Sequence, residues 1–393
     1  MLRDTKRIEI NRQALKDASL DVLVCALPMN VLLLSGYWPV VGVSVAIFTS
    51  DGRVTLIVPE DEKELADTGW ANEVKIFSTG SLVDLKSPIQ AVMPALIEIG
   101  SKLGRAKLGF ETDAVGEPVS YAAMNLYGVA ITDLLRSAFP KAILKHAGQL
   151  LTRLCSILTP NEIERVKTVC RIAEDAFGFG AVKICEGKSE TEIAEAFRYK
   201  LSATKRAVRA GGYTFCMSGE NSYKAYAAFQ LSTQRSLQKG DLALVHCNSY
   251  ADGFWTDITR TYSVGEPDEK KQKMYEAVFD ALEAAKKAVR PGTPASEVDR
   301  AAREVLSEYG FSEAFKHGLG HAVGFHAIDH NAPPRLHPAS KDILETGMVF
   351  NIEPAIYTEG VGGTRHCDMV AVTETGVEIL TPFQRSPEKM IIR

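Results

Sequence analysis

Short apolar runs alternate with amphipathic stretches through the first third of the chain, and this alternation predicts an α/β unit. DVLVCA (21–26), VSVAIFTSDGRVTLIVPE (43–60) and AKLGFE (106–111) read as strands, while IQAVMPALIEIGSKLG carries its apolar residues at helical spacing. The second run breaks at Asp51-Gly52, a dipeptide that tolerates positive φ, so a β-hairpin belongs there. Near position 159 the pattern changes. Thr159-Pro160-Asn161-Glu162 sets a hydroxyl at a helix N-cap, a proline at the first helical position and a carboxylate three residues after the cap, which opens the predicted helix EIERVKTVCRIAEDAFGFGAVKIC. Ser189 and Glu192 repeat the device ahead of IAEAFRYKLSATKRAV. A further helix, DEKKQKMYEAVFDALEAAKKAVR, ends at Pro291-Gly292, and another begins around Glu297.

Setting EGKSETEIAEAFRYKL against RPGTPASEVDRAAREVL places Gly187 on Gly292, Glu192 on Glu297 and Ile193 on Val298, which predicts an internal duplication. Each helix pair is followed by β-structure: YTFCMSG, DLALVHCNSY and FWTDITRTYSV after the first, GMVFNIEPAIY and HCDMVAVTETGVEIL after the second. A length of 393 residues calls for two domains, and the change of pattern divides the chain into residues 1–155 and 156–393.

Composition narrows the function classes. Apolar residues at 46% and charged residues at 24% describe a globular protein, and a net charge of −4 gives no reason to expect nucleic acid or an anionic membrane as partner. Apolar runs such as VLLLSGY fall far short of a membrane span, and the charged start MLRDTKRIEI does not read as an export signal, so a cytoplasmic location is expected. Seven scattered cysteines without a CxxC pair indicate neither a disulfide framework nor a zinc ribbon.

Four stretches set ionisable groups in apolar surroundings. They are His246 and Asp257 on an expected hairpin, His317-Gly-Leu-Gly-His321 with His326 and His330 behind it, Glu353 inside VFNIEPAIY, and Arg365-His366-Cys367-Asp368 before MVAVT. Six of the eight histidines lie between 317 and 366, a density that ordinary core packing does not require. Read as a strand, Val349, Asn351 and Glu353 share one face, where a carboxylate is costly unless it is paired, neutralised or bound to a cation. A salt bridge from Glu353 to Arg365 or Arg260, a ladder bond for Asp257 and a capping role for His321 are the bland readings of each residue alone. Taken together, His, Asp and Glu are the ligands expected for Zn²⁺, Mn²⁺ or Fe²⁺.

In order and spacing, DGFWTDITRT, HGLGHAVGFH, GMVFNIEPAIY and TRHCDMVAVTETG resemble the motifs of metallopeptidase family M24, the Xaa-Pro peptidase (aminopeptidase P and prolidase) and creatinase-like group, over about 155–385. The resemblance implies an α+β protein. Its C-terminal pita-bread domain, with duplicated helix pairs around a curved sheet, would follow a smaller α/β domain like that of creatinase and prolidase, and the chain would form a homodimer. The peptidases of the group hold two divalent ions with Asp, Asp, His, Glu and Glu. Those positions carry His246, Asp257, His321, Glu353 and Cys367 here, so two of the five depart. Tyr226 in SGENSYKAY stands where the group has a substrate-binding histidine, and the position of a later proton-handling histidine falls on Ile328, so His330 or His326 must take that part.

Two firm carboxylates can neutralise one dication but not a neighbouring pair. The expected cofactor is therefore one divalent ion (Zn, Fe or Mn), not two, on Asp257, His321 and Glu353. His246 would be a neutral further ligand or a hydrogen-bonding group behind the ligands, and Cys367 a soft ligand if deprotonated. The expected activity is that of a metal-dependent hydrolase resembling Xaa-Pro aminopeptidase or dipeptidase, cleaving an amide or peptide bond of a small substrate with a metal-activated water. Glu353 would also move protons, His317 and His330 would orient substrate or stabilise the tetrahedral intermediate, Arg365 would pair with a substrate carboxylate, and Tyr226 and His326 would bind substrate. Two other readings stand beside it: a metal-free creatinase-like C–N hydrolase with His246 or His321 as base, and a catalytically inactive pita-bread binding protein.

Overall fold

The computed structural model describes residues 3–40, 44–78, 80–81, 84–85, 87–111, 128–226, 231–383 and 386–392. The chain divides into two compact units, Met1–Cys155 and Ser156–Arg393. The first contains β1 (Val22–Cys25), β2 (Val45–Thr49), β3 (Val54–Pro59), β4 (Glu73–Phe77), a short pair β5 (Gly80–Ser81) and β6 (Asp84–Leu85), β7 (Lys107–Phe110) and β8 (Ile143–His146). Six of these form a mixed sheet in the order β4-β3-β2-β1-β7-β8. The expected hairpin joins β2 to β3, with Gly52 in its turn at φ 86°. Val22, Val24, Ile47, Ile57 and Leu108 on the sheet share a core with Val92, Leu96 and Ile99 of the helix Pro88–Leu103.

The second unit opens as the capping signal requires. Thr159 Oγ1 accepts from Glu162 N and the Glu162 carboxylate accepts from Thr159 N, starting the helix Pro160–Ala181. That helix stops at Ala181 rather than running on to Cys185, because the amides of Lys183 and Ile184 bond only three residues back and close a turn. The pair Pro160–Ala181 and Glu190–Ser202 is matched by the pair Glu269–Ala288 and Ala295–Glu308. The duplication extends to the backbone. Gly187 N donates to Leu237 O and Gly292 N to Leu344 O, both at 2.8 Å, and the two glycines sit at φ 85° and 86°. The return bonds, Leu237 N to Lys188 O at 2.8 Å and Leu344 N to Thr293 O at 2.9 Å, repeat as well.

The strands of this unit are β9 (Ala210–Ser218), β10 (Leu242–Ala251), β11 (Phe254–Val264), β12 (Val349–Ile352), β13 (Ala355–Thr358), β14 (Gly362–Arg365), β15 (Asp368–Val372), β16 (Val377–Ile379) and β17 (Ile391–Ile392). They pair in the orders β17-β11-β10-β9, β12-β15-β16 and β13-β14. Single bridges tie Thr259 of β11 to Cys367, just before β15, and Ala322 to Phe350 of β12. GMVFNIEPAIY is not one strand: Glu353 and Pro354 separate β12 from β13. Pro354 has no N–H for a ladder, and Glu353 N leaves the ladder to donate to Leu319 O at 2.8 Å. No described cysteine is in a disulfide, and no described helix is long and apolar enough to cross a membrane.

Candidate active site

Register delivers the first side chains. β10 and β11 pair antiparallel with His246 opposite Thr259 and Asn248 opposite Asp257, so all four project from one face of the sheet. The break after β12 brings in Glu353, the bridge at Thr259 brings in Cys367, and the bridge at Phe350 fixes the segment carrying His321. Ligand atoms of Asp257, Glu353 and Cys367 lie within 4.8 Å of one another, all three residues being buried. His321 Nε2 faces the same group, 3.4 Å from Asp257 Oδ2 and 3.9 Å from Glu353 Oε1. His321 Nδ1 donates to Ala322 O at 3.1 Å, which leaves the lone pair on Nε2, the tautomer a metal ligand needs. Asn351 Nδ2 donates to that lone pair at 3.2 Å.

Two buried carboxylates this close interact strongly. Burial is the main reason that Glu353 is pushed up to about 7; Arg365 opposes the shift and the charge on Asp257 adds to it. Burial also works to raise Asp257, but His246, His321 and Arg365 together hold it down at about 2. The Cys367 thiol is pushed up by burial and donates to Asp257 O at 3.0 Å, so a cation drawing on this sulfur would have to displace its proton.

His246 is engaged at both nitrogens. Arg365 Nη2 donates to Nδ1 at 3.1 Å, and Thr259 Oγ1 lies 2.9 Å from the same atom. A guanidinium can only donate, so Nδ1 is the acceptor and the ring proton sits on Nε2, which donates to Asn248 Oδ1 at 2.9 Å. Burial keeps the ring neutral by pushing its pKa down to about 4. Arg365 also donates from Nε to Thr259 Oγ1 at 3.2 Å and from Nη1 to Tyr357 OH at 3.4 Å, and its Nε lies 3.9 Å from Glu353 Oε2. A fixed guanidinium thus stands on the side of the site where His246 lies.

Around this centre, His317 Nδ1 donates to Gly318 O at 2.8 Å, and its Nε2, 3.1 Å from Tyr357 OH, is left as the acceptor. Burial pushes this histidine down to about 3. Its segment is clasped from the helix Ala295–Glu308: Arg303 Nη2 donates to His317 O at 2.6 Å and Asp299 Oδ1 accepts from Leu319 N at 3.2 Å. The His330 ring meets that of His321 edge to face, 5.0 Å between centroids. His326 turns toward Asp329, 4.0 Å away. Tyr226 closes the 3-10 turn Lys224–Tyr226, and its side chain lies outside the described residues. Thr259, Asn248 and Tyr357 also border this centre and were passed over by the motif reading, which set Asn351 on the face of Glu353 but gave it no part. The available signal was the two-residue period of a strand, which puts Thr259 on the face of Asp257 and Asn248 on the face of His246.

The metallopeptidase family M24 model matches residues 164–374, and the creatinase/prolidase N-terminal domain model matches residues 7–154. The Xaa-Pro dipeptidase of Pyrococcus furiosus is 30% identical over 381 residues, covering 97% of this chain and 99% of the relative. Among solved structures, the prolidase of Pyrococcus horikoshii OT3 superposes with a TM-score of 0.77 at 28% identity, covering 97% of this chain and 99% of that one. A recombinant prolidase from Thermococcus sibiricus gives 0.79 at 26% identity, covering 100% of this chain and 99% of that one.

Proposed function

The chain belongs to metallopeptidase family M24 and is a metal-dependent peptidase, and from that premise we propose that it cleaves an Xaa-Pro or related amide bond of a small substrate at a site built for a single divalent ion. Asp257, His321 and Glu353 would hold that ion, with Cys367 as a fourth donor. The set fits one cation: its carboxylates and imidazole converge, the imidazole is in the right tautomer, and two negative charges offset one dication. It does not fit a neighbouring pair, and the observation that carries this is the Arg365 guanidinium bonded to His246 Nδ1. A second dication beside His246 would meet the fixed positive charge of that guanidinium. A site with imidazole and sulfur among its donors favours Zn²⁺ or Fe²⁺ over Mn²⁺.

When bound, the ion supplies Lewis acidity to a substrate carbonyl and acidifies water. The protein supplies the rest. The Glu353 carboxylate, ionised as a ligand, would take a proton from the attacking water and pass it to the leaving nitrogen. Tyr357 OH, accepting from Arg365 and donating to His317 Nε2, ties the guanidinium to that imidazole and holds both in place beside the site. His330, at the edge of His321, orients substrate from the other side.

The test is metal content of the reconstituted full-length protein together with turnover of a panel of Xaa-Pro dipeptides and tripeptides. One ion per chain with metal-dependent cleavage is expected. The double substitution His246→Asp with Cys367→Glu should admit a second ion. Two ions per wild-type chain would overturn the single-ion reading, and cleavage surviving exhaustive chelation would replace it with the metal-free one.

A further inference from the structure

The sheet face that carries Asp257 continues past it as a wall of aromatic rings. In one row across the strands stand Tyr213, Asn248 and Asp257; in the next, Tyr250 and Trp255 stand opposite each other. Tyr213 and Trp255 present parallel rings, 2° between planes and 6.5 Å between centroids, and Tyr250 lies 4.9 Å from Trp255. Gly211, the other neighbour of Tyr250, leaves room for that ring: a Cβ there would come within 2.8 Å of Tyr250 OH. Tyr213 is 60% exposed, so the wall opens outward from the buried carboxylates.

Asn248 lies in the middle of this face and is 7% exposed. Its carbonyl is committed to His246 Nε2, and its amide nitrogen has no hydrogen-bond partner. A buried N–H₂ left unbonded is costly, and the cost is recovered when an acceptor oxygen arrives. The surrounding charges select what kind of group that is. His246 accepts from the cation Arg365 behind it, and Asp257 is the one carboxylate among these side chains, its two oxygens taken up by His321, 3.4 Å from Oδ2, and His246, 3.5 Å from Oδ1. A substrate ammonium would find a donor and a guanidinium here, whereas a carbonyl oxygen would find a free N–H with apolar rings beside it.

We propose that Asn248, Tyr213 and Trp255 form a subsite for the acylated N-terminal side of a substrate, the acyl oxygen accepting from Asn248 Nδ2 and the apolar part lying against the rings. The substrate class is then N-acyl or otherwise N-blocked small peptides and amides, in preference to those with a free α-ammonium. The assignment rests on the peptidase reading given above, because it uses Asp257 to place the reacting bond.

The experiment uses the metal-loaded full-length protein and two readouts. Calorimetric titration compares N-acetyl-phenylalanine with phenylalanine, and kcat/KM compares N-acetyl-Phe-Pro with Phe-Pro. The acetylated forms should bind and react about tenfold better, the scale of one buried hydrogen bond gained. Asn248→Asp keeps an oxygen for His246 and exchanges the free donor for a carboxylate, so it should reverse the preference. Trp255→Ala and the more exposed Tyr213→Ala should each raise KM more for phenylalanyl than for glycyl substrates. Equal or tighter binding of phenylalanine by the wild type, or an unaltered ratio in Asn248→Asp, overturns the subsite. A binding preference without cleavage of any Xaa-Pro or amide bond would instead leave the subsite standing and sink the proposed reaction.

Discussion

At His246 the two ring nitrogens have different duties, Nδ1 accepting from Arg365 and Nε2 donating to Asn248. On the proposed reading a residue in that position would act on the ligands from behind, so removing it and removing a ligand would have different costs. His246→Ala should keep one ion per chain with affinity lowered by no more than ~10–100-fold, the usual effect of losing an outer hydrogen-bond partner. His321→Ala should abolish stoichiometric binding. Titration with a competing chelator distinguishes them, and loss of the ion from His246→Ala would make it a ligand after all. Its choice of partner could not be read along the chain, because the guanidinium it accepts from is 119 residues away. Asp257, His321 and Glu353 could be picked out, since each is an ionisable group in an apolar stretch and burial of that kind demands compensation. Asn351 could be placed only by sharing a face with Glu353, and Tyr357 could not be placed at all, because a polar residue on a strand looks the same whether it faces a site or a neighbouring ladder.

Strands and helices are held around the site by a second buried charge cluster. Asp368, next to Cys367, accepts from Arg260 Nη2 at 2.7 Å and from Lys286 Nζ at 2.8 Å, tying β15 to β11 and to the helix Glu269–Ala288. Arg260 also donates to Cys367 O at 2.6 Å. Asp368→Ala would leave the buried Arg260 without its carboxylate and Lys286 with Glu283 alone, and should cost about 3–5 kcal/mol, read as a lowered urea midpoint. An unchanged midpoint would mean that the cluster is solvated on unpairing. Thr159→Ala, which removes one side of a capping box, should cost about 1 kcal/mol by the same assay. Elements with such local causes were legible: both capping boxes and the Asp51-Gly52 hairpin lie where their residues demand. The division of GMVFNIEPAIY was less so, since its apolar pattern runs unbroken through Pro354 and the bond that draws Glu353 out of line comes from Leu319, far from it in sequence.

Across the whole molecule, every proposed donor lies in the unit Ser156–Arg393, and the duplicated halves of that unit each contribute, Asp257 from the first and His321, Glu353 and Cys367 from the second. An ion shared between halves binds the folded unit and not its unfolded chain, so it stabilises that unit by mass action, about 2.7 kcal/mol at a free concentration 100 times Kd. Met1–Cys155 has its own sheet and core and holds none of the proposed donors, so its local opening should be indifferent to the ion. Hydrogen exchange with and without Zn²⁺ should therefore show added protection at β10, β11, β12 and β15, roughly a hundredfold slower where exchange proceeds through unfolding of the unit. The sheet of the first unit should exchange at the same rate in both states. Protection spread evenly over both units would mean that they open together, and protection confined to the first half of the second unit would mean that the ion does not bridge the repeat.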